Sequence, residues 1–367
     1  MEKWSIKMAD CVVSGRPALN YEKWAYDNGV VMLGLLKVWK KTGERKYFDV
    51  CKEYMEEYIY DNGMIKNYRP YEYNIDLINN GKVLFDMFKE TKDEKYRRAI
   101  FKLRNQLYKH PRTSENALWH KKIYRNQVWL DGLYMEAPFY AQFIKTFDSK
   151  RNYNDVIRQF VLCKKNMQDK ETGLYYHAYD ETHSEFWCDR KTGLSKNFWG
   201  RGMGWFVMAL ADVLEIIPKD HRDFKELADM LKDALDALIN VQDSSGCWYQ
   251  VLDKGHIKGN YLEASCSCMI LYALLKALRL KIVFGEKYTE AIEMAFNGII
   301  DEFVLITDNG FINLNKNCAV AGLGNKNKRD GSFSYYISEP IVCNDLKGVG
   351  AFILATYEYE CYKKLWG

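Results

Sequence analysis

Proline is scarce in this chain, with six in 367 residues, so little in it interrupts long helices. No run of 18 apolar residues occurs, which excludes a membrane-spanning helix. No block of five like charges occurs, and the net charge is only +4. That balance argues against a nucleic-acid partner, because a phosphate backbone calls for a dense basic face. The ten cysteines contain no C-x-x-C pair. Cys266 and Cys268 stand two apart, and on a helix their side chains would point about 200° away from each other, a poor chelate. With six histidines and no His/Cys/Asp cluster at ligand spacing, no metal site is expected. A phosphate-cradling glycine loop and a serine nucleophile elbow are also missing, and no cofactor is expected. The opening MEKWSIKMADCVV has no apolar stretch of signal length. Free thiols and no leader together predict a cytoplasmic protein. Nothing in the sequence sets an oligomeric state.

What the chain has is aromatic and helical. Aromatic residues make up 15% of it: 27 Tyr, 18 Phe and 10 Trp. Most of them belong in a core, but flat rings also pack against the apolar faces of sugars. Amphipathic stretches at helical spacing run over 26–41, 44–60, 76–91, 95–109, 129–147, 151–168, 203–216, 221–242, 264–284, 287–304 and 347–365. Tight turns separate successive pairs at Thr42-Gly43-Glu44, Thr91-Lys92-Asp93, Asp148-Ser149-Lys150, Pro218-Lys219-Asp220 and Gly285-Glu286. Each second helix is followed by a glycine- and aromatic-rich crossing, such as Asp61-Asn62-Gly63-Met64 or Ser245-Gly246-Cys247-Trp248-Tyr249. One helical hairpin cannot bury both of its faces, whereas six closed in a ring can. The repeat therefore predicts an all-α fold, an (α/α)6 barrel or six-hairpin toroid, with residues 1–367 as a single catalytic domain. Its long crossings should gather at one end and form the rim of the site.

Three segments carry candidate chemistry. In Gln127-Val128-Trp129-Leu130-Asp131-Gly132-Leu133-Tyr134-Met135, Asp131 sits in an apolar run near a helix start. Such a carboxylate must be paired, capping or functional. Burial would raise its pKa, and a helix N-terminus would lower it. Asp76, in Asn74-Ile75-Asp76-Leu77-Ile78, stands at the entry to another inner helix. Two carboxyls at one end of a toroid fit general acid–base work on a glycosidic linkage. In Phe198-Trp199-Gly200-Arg201-Gly202-Met203-Gly204-Trp205, a guanidinium able to fork onto a carboxylate is flanked by glycines and tryptophans. His177, in the crossing Tyr175-Tyr176-His177, reads as structural taken alone.

The strings NIDLINNGKVLFD, WHKK, QVWLDGLYMEAPFYAQ, GLYYHAYDE, FWGRGMGW and GVGAFILA occur in this order from about Trp24 to Leu354. In these the chain resembles the unsaturated rhamnogalacturonyl hydrolases of glycoside hydrolase family 105, relatives of the unsaturated glucuronyl hydrolases. The resemblance implies a six-hairpin α/α barrel. It implies release of a 4,5-unsaturated uronic acid from the non-reducing end of small acidic lyase products, with the unsaturated rhamnogalacturonan disaccharide as the family's usual substrate. The implied chemistry is hydration of a vinyl ether. Asp131 would be the general acid/base, and Asp76 would assist it. Trp129 and Trp199 would shape the sugar subsite. His120, Lys121 and Arg201 would hold its carboxylate and hydroxyls, with His177 and Trp205 nearby. The chain departs from the family pattern at Gly200, where alanine is common, and at Met203, where a polar residue is common. Two other readings of the toroid are a sugar epimerase, which would need a histidine pair, and a non-catalytic sugar-binding protein, against which the intact Asp131 argues.

Overall fold

A computed structural model describes residues 3–324 and 329–366. Of the stretch read for a leader, Met1 and Glu2 lie outside the described residues. The helices are α1 (Trp4–Val13), α2 (Tyr26–Thr42), α3 (Arg45–Tyr58), α4 (Gly81–Thr91), α5 (Glu94–Lys109), α6 (Leu130–Phe147), α7 (Asn154–Met167), α8 (Gly200–Ile216), α9 (Phe224–Asn240), α10 (Ala264–Arg279), α11 (Glu286–Phe303), α12 (Phe333–Ser338) and α13 (Leu346–Trp366). Strands are few and short: β1 (Gln127–Trp129) pairs with β2 (Ala178–Asp180), β3 (Val304–Ile306) with β4 (Ile312–Leu314), and β5 (Asn317–Cys318) with β6 (Ile341–Val342). All three pairs are antiparallel.

The helices sort into two rings by their apolar surface. On α9 the buried residues Leu227, Met230, Leu231, Ala234, Leu235 and Leu238 follow one stripe, and charged residues fill the rest, so this helix has one face to bury. On α8 every residue from Gly200 to Ala211 is buried, so that helix must be enclosed. Accordingly α2, α4, α6, α8, α10 and α13 form a closed inner ring, each packed on the next, and α13 packs on α2. An outer helix backs each one: α3, α5, α7, α9, α11 and, for α13, α1. This is the expected six-hairpin (α/α)6 toroid.

Its sixth hairpin joins residues far apart in sequence. The Ser5 backbone N–H and hydroxyl each donate to the Glu360 carboxylate at 3.0 Å, and Lys41 of α2 reaches the same carboxylate at 2.6 Å. The periodicity reading left α1 out, because ten residues are short for a clear stripe. Several other boundaries moved, among them the starts of α7 and α9 and the end of α10, which stops at Arg279 rather than 284. The stretch 76–91 opens as a 3-10 turn (Ile75–Ile78) before α4 starts at Gly81. Helix α8 starts three residues before the expected 203, which brings Arg201 into its first turn.

The two ends of the ring differ in their connections. Inner helices run into outer ones through turns as short as Gly43-Glu44, where Gly43 caps α2 in the left-handed region at φ 78°. Outer helices return through long crossings over 14–25, 59–80, 110–129, 168–199, 241–263 and 304–345. These crossings bond to one another around one rim. Trp24 Nε1 donates to Leu77 O (2.9 Å), Ile75 N to His120 O (3.2 Å), β1 pairs β2, Gly200 N donates to Gln250 O (2.9 Å) and Ala264 N to Lys316 O (3.0 Å). The six inner helices therefore present their N-termini to one shared loop layer.

Candidate active site

Asp131 occupies the second position of α6, after Trp129 at the N-cap, and its carboxyl takes its own backbone N–H in that first turn. Its Oδ2 meets His177 Nε2 at 3.1 Å, across the β1–β2 pair that sets Trp129 opposite Ala178. Asp131 is therefore not the N-cap residue itself. His177 is buried, and its Nδ1 meets the Tyr336 hydroxyl at 2.7 Å. Burial raises the Asp131 pKa, but the His177 hydrogen bond and charge, with His120 behind them, outweigh it and hold the carboxyl below the usual aspartate range. Its side chain remains 14% exposed, so it is reachable. The Tyr336 hydroxyl is pushed up by burial, so it stays neutral and can donate to or accept from the imidazole.

Asp76 lies on the 3-10 turn at Ile75–Ile78, and its backbone N–H donates to the capping Asn74 Oδ1 at 3.1 Å. Its carboxylate takes Lys121 Nζ at 2.6 Å and faces His120 Nε2 at 3.6 Å. Burial works against the Lys121 charge, and Asp76 more than restores it. His120 is fully enclosed, and desolvation brings its pKa down to about 4, so it is neutral near pH 7. Its ring lies parallel to Trp129 at 4.6 Å, and Tyr124 does the same at 4.9 Å.

Trp199 packs on His177 at 4.5 Å, on Tyr336 at 6.1 Å and on the Arg201 guanidinium at 4.9 Å. Glutamines fix both indoles: Trp129 Nε1 donates to Gln127 and Trp199 Nε1 to Gln250, each at 3.1 Å. Arg201 Nη1 donates to Cys318 O at 2.6 Å and to Ser265 Oγ at 3.3 Å, with Glu263 at 4.0 Å. Burial opposes the Arg201 charge, while Cys318 and Glu263 favour it more strongly. Glu263 caps α10 by accepting from Cys266 N and also accepts from Cys318 N at 2.9 Å, so one carboxylate anchors both α10 and the loop that holds Arg201.

The structure brings Asp131, His177, Trp129, Trp199 and His120 together and sets Asp76 with Lys121 beside them. Trp205 lies deeper: it is fully buried and stacks on Tyr134 at 4.7 Å. On the site side its ring touches that of Tyr26 edge-on at 6.4 Å. Tyr26 was missed by the sequence reading. It lies in the electrostatic field of Asp76, Arg201 and Asp131, and burial followed by the Asp76 charge raises its hydroxyl pKa well above the usual range. Tyr336 was missed as well, since nothing local marks a residue 159 positions from its partner. Gly200 has a local reason to differ from the family pattern: a Cβ there would stand 2.8 Å from Tyr249 O and 2.9 Å from Cys266 Sγ. Met203 is buried and its sulfur accepts from Tyr175 N at 3.3 Å.

Residues 2–363 match the model of Glycosyl Hydrolase Family 88. The chain belongs to that family. It is therefore a glycoside hydrolase, and the epimerase and binding-protein readings give way. A family 105 glycoside hydrolase from C. acetobutylicum ATCC 824 is 52% identical, over 98% of this chain and all of that one, with a TM-score of 0.96. Unsaturated rhamnogalacturonyl hydrolase YesR of Bacillus subtilis (strain 168) is 28% identical over 284 residues, 76% of each protein. Protein Atu3128 of Agrobacterium fabrum is 36% identical over 61% of this chain and 97% of its own length. Among the described residues of this family 88 enzyme, no helix is long and apolar enough to cross a membrane.

Proposed function

We propose that this glycoside hydrolase removes a 4,5-unsaturated uronic acid from the non-reducing end of small acidic oligosaccharides made by polysaccharide lyases, with the unsaturated rhamnogalacturonan disaccharide as the leading substrate. The observation that carries the reading is the Asp131–His177 pair, 3.1 Å apart, reachable from the rim and backed by Trp129 and Trp199. YesR, named for unsaturated rhamnogalacturonyl hydrolysis, supports the substrate class.

Asp131 protonates C4 of the C4=C5 bond, and the positive charge that develops at C5 is shared with the ring oxygen. Water adds at C5 as Asp131 takes a proton back. The resulting hemiketal opens to a ketone at C5, and the hemiacetal left at C1 releases the second sugar. One carboxyl serves first as acid, then as base. Its low pKa is no obstacle. Arrival of the uronate, a like charge, raises the Asp131 pKa and favours its protonated form. Arg201 balances the uronate charge from behind Trp199. Asp76, with Lys121 and His120 fixed around it, receives the sugar hydroxyls. Trp129 and Trp199 hold His177 in line, and Trp205 supports Tyr26 at the pocket floor. Residues 1–367 act as one catalytic unit. Ten unpaired thiols, eight of them buried, support a cytoplasmic setting.

Turnover in heavy-oxygen deuterated water tests the mechanism. One deuterium should appear at C4 and the oxygen label at C5, fixed by immediate borohydride reduction, while the leaving sugar keeps its own oxygen. Efficient cleavage of the saturated disaccharide, with no deuterium at C4, would direct water to C1 and overturn the proposal.

A further inference from the structure

The end of the ring opposite the loop layer opens into a cavity of about 530 Å³ between the inner helices. Six lysines line it: Lys37, Lys40, Lys82, Lys89, Lys92 and Lys276. Three acids face them, and all three are already engaged. Asp86 holds Lys40 at 2.6 Å, while Asp212 and Glu215 hold Lys276 at 2.6 and 2.7 Å, Glu215 also taking Arg279. Lys37, Lys82, Lys89 and Lys92 make no direct ion pair among the described residues, although Lys37 lies in the field of Glu215 and Lys82 in those of Asp212 and Glu136.

Lys89 and Lys92 are exposed, and solvent accounts for them. Lys82 is different, because it is only 9% exposed. One N–H bonds to Tyr134 O at 3.1 Å, and the ammonium rests 3.4 Å from the centre of the Tyr134 ring. An ammonium has three donors and is costly to bury without a counter-charge. The acids around it supply one only in part. Asp212 and Glu136 favour its charge, Lys276 opposes it, and desolvation dominates, bringing its pKa down to about 7. Beside it the cavity wall is apolar, with Phe85, Tyr134 and Pro138, the kind of surface that accepts a sugar ring.

We propose that this cavity is a second ligand site, distinct from the hydrolytic one, for a sugar-sized oxyanion carrying phosphate or carboxylate groups. The oxyanion completes the missing counter-charge of Lys82, and Lys37, Lys89 and Lys92 gather it at the mouth. Its negative charge favours the ammonium form, so binding takes up a proton near neutral pH.

Isothermal titration with inorganic phosphate, glucose 6-phosphate and glucuronate tests this at pH 6 and pH 8.5. At least one probe should bind, about tenfold more tightly at pH 6, with proton uptake seen as a dependence of the heat on the buffer's ionisation enthalpy. Preference for the two phosphates or for glucuronate identifies the oxyanion. Lys82→Met should weaken binding at least tenfold. The double variant Lys37→Gln with Lys89→Gln, which leaves the core untouched, should weaken it several-fold while unsaturated-disaccharide turnover without added anion stays the same. Unchanged affinity in the double variant, or no binding by any probe at millimolar concentration, overturns the proposal.

Discussion

The two ends of this toroid are built from the same six inner helices and differ in what joins them. At the loop end the crossings run from 12 residues at 14–25 to 42 at 304–345, long enough to carry side chains over the helix N-termini. Asp76, His120, Lys121, Trp129, His177 and Trp199 all lie on crossings, while Asp131, Arg201 and Tyr26 come from the first turns of inner helices. At the far end the turns are short, and the chemistry comes from helix faces alone. Those faces offer lysines, of which Lys40, Lys89 and Lys276 stand in last turns and suit the negative end of a helix dipole. Loop length, not the ring itself, decides which end performs acid–base work.

The largest effect should come from the pair that defines the loop end. Asp131→Asn keeps a hydrogen-bond acceptor for His177 but cannot donate and recover a proton at C4. We expect kcat/KM to fall about 10²–10⁴-fold with an unchanged melting curve. A folded variant with normal turnover would remove Asp131 from the chemistry. Next is Arg201→Ala. Besides weakening binding of the uronate, it leaves Glu263 buried beside an empty volume, and loss of one partner of such a pair costs about 3–5 kcal/mol. Urea denaturation measures this, and a loss under about 1 kcal/mol would mean that the N–H donors on Glu263 suffice without the guanidinium.

The third concerns pH. His120 and His110 are both buried, and desolvation brings each to about 4. The unfolded chain takes up these protons near pH 6.5, and the native one does so only near pH 4. Stability is therefore fully present above pH 6.5 and is lost as pH falls toward 4, by up to about 3 kcal/mol per histidine. His120→Asn should flatten that slope at the loop end, and an unaltered slope would refute the burial argument. The smallest effect belongs to the far end. Lys40–Asp86 is partly exposed and screened, so Lys40→Ala should change stability by less than about 1 kcal/mol. A larger loss would show that the far mouth is more tightly coupled than its exposure implies.

The ring was legible in the sequence because hairpin periodicity and tight turns are local signals. Gly43 and the aromatic crossings marked the units without any tertiary information. What escaped was non-local. Helix α1 has too few turns to announce a face, and its partner lies more than 300 residues away. Tyr336 reaches His177 only through the folding of the 304–345 crossing. Lys121 offers a free ammonium in the sequence, and folding commits it to Asp76. The start of α8 was misplaced because three glycines disguised a first turn that close packing against Tyr249 and Cys266 requires.

The contact between Ser5 and Glu360 spans 355 residues, and it is what holds the sixth hairpin shut. At ribosomal speeds of about 5–20 residues per second, α1 emerges roughly 20–70 s before its partner exists. Through that interval Trp4, Met8 and Val12 have no α13 to cover them. The nascent chain keeps an open apolar seam until α13 arrives to cover it.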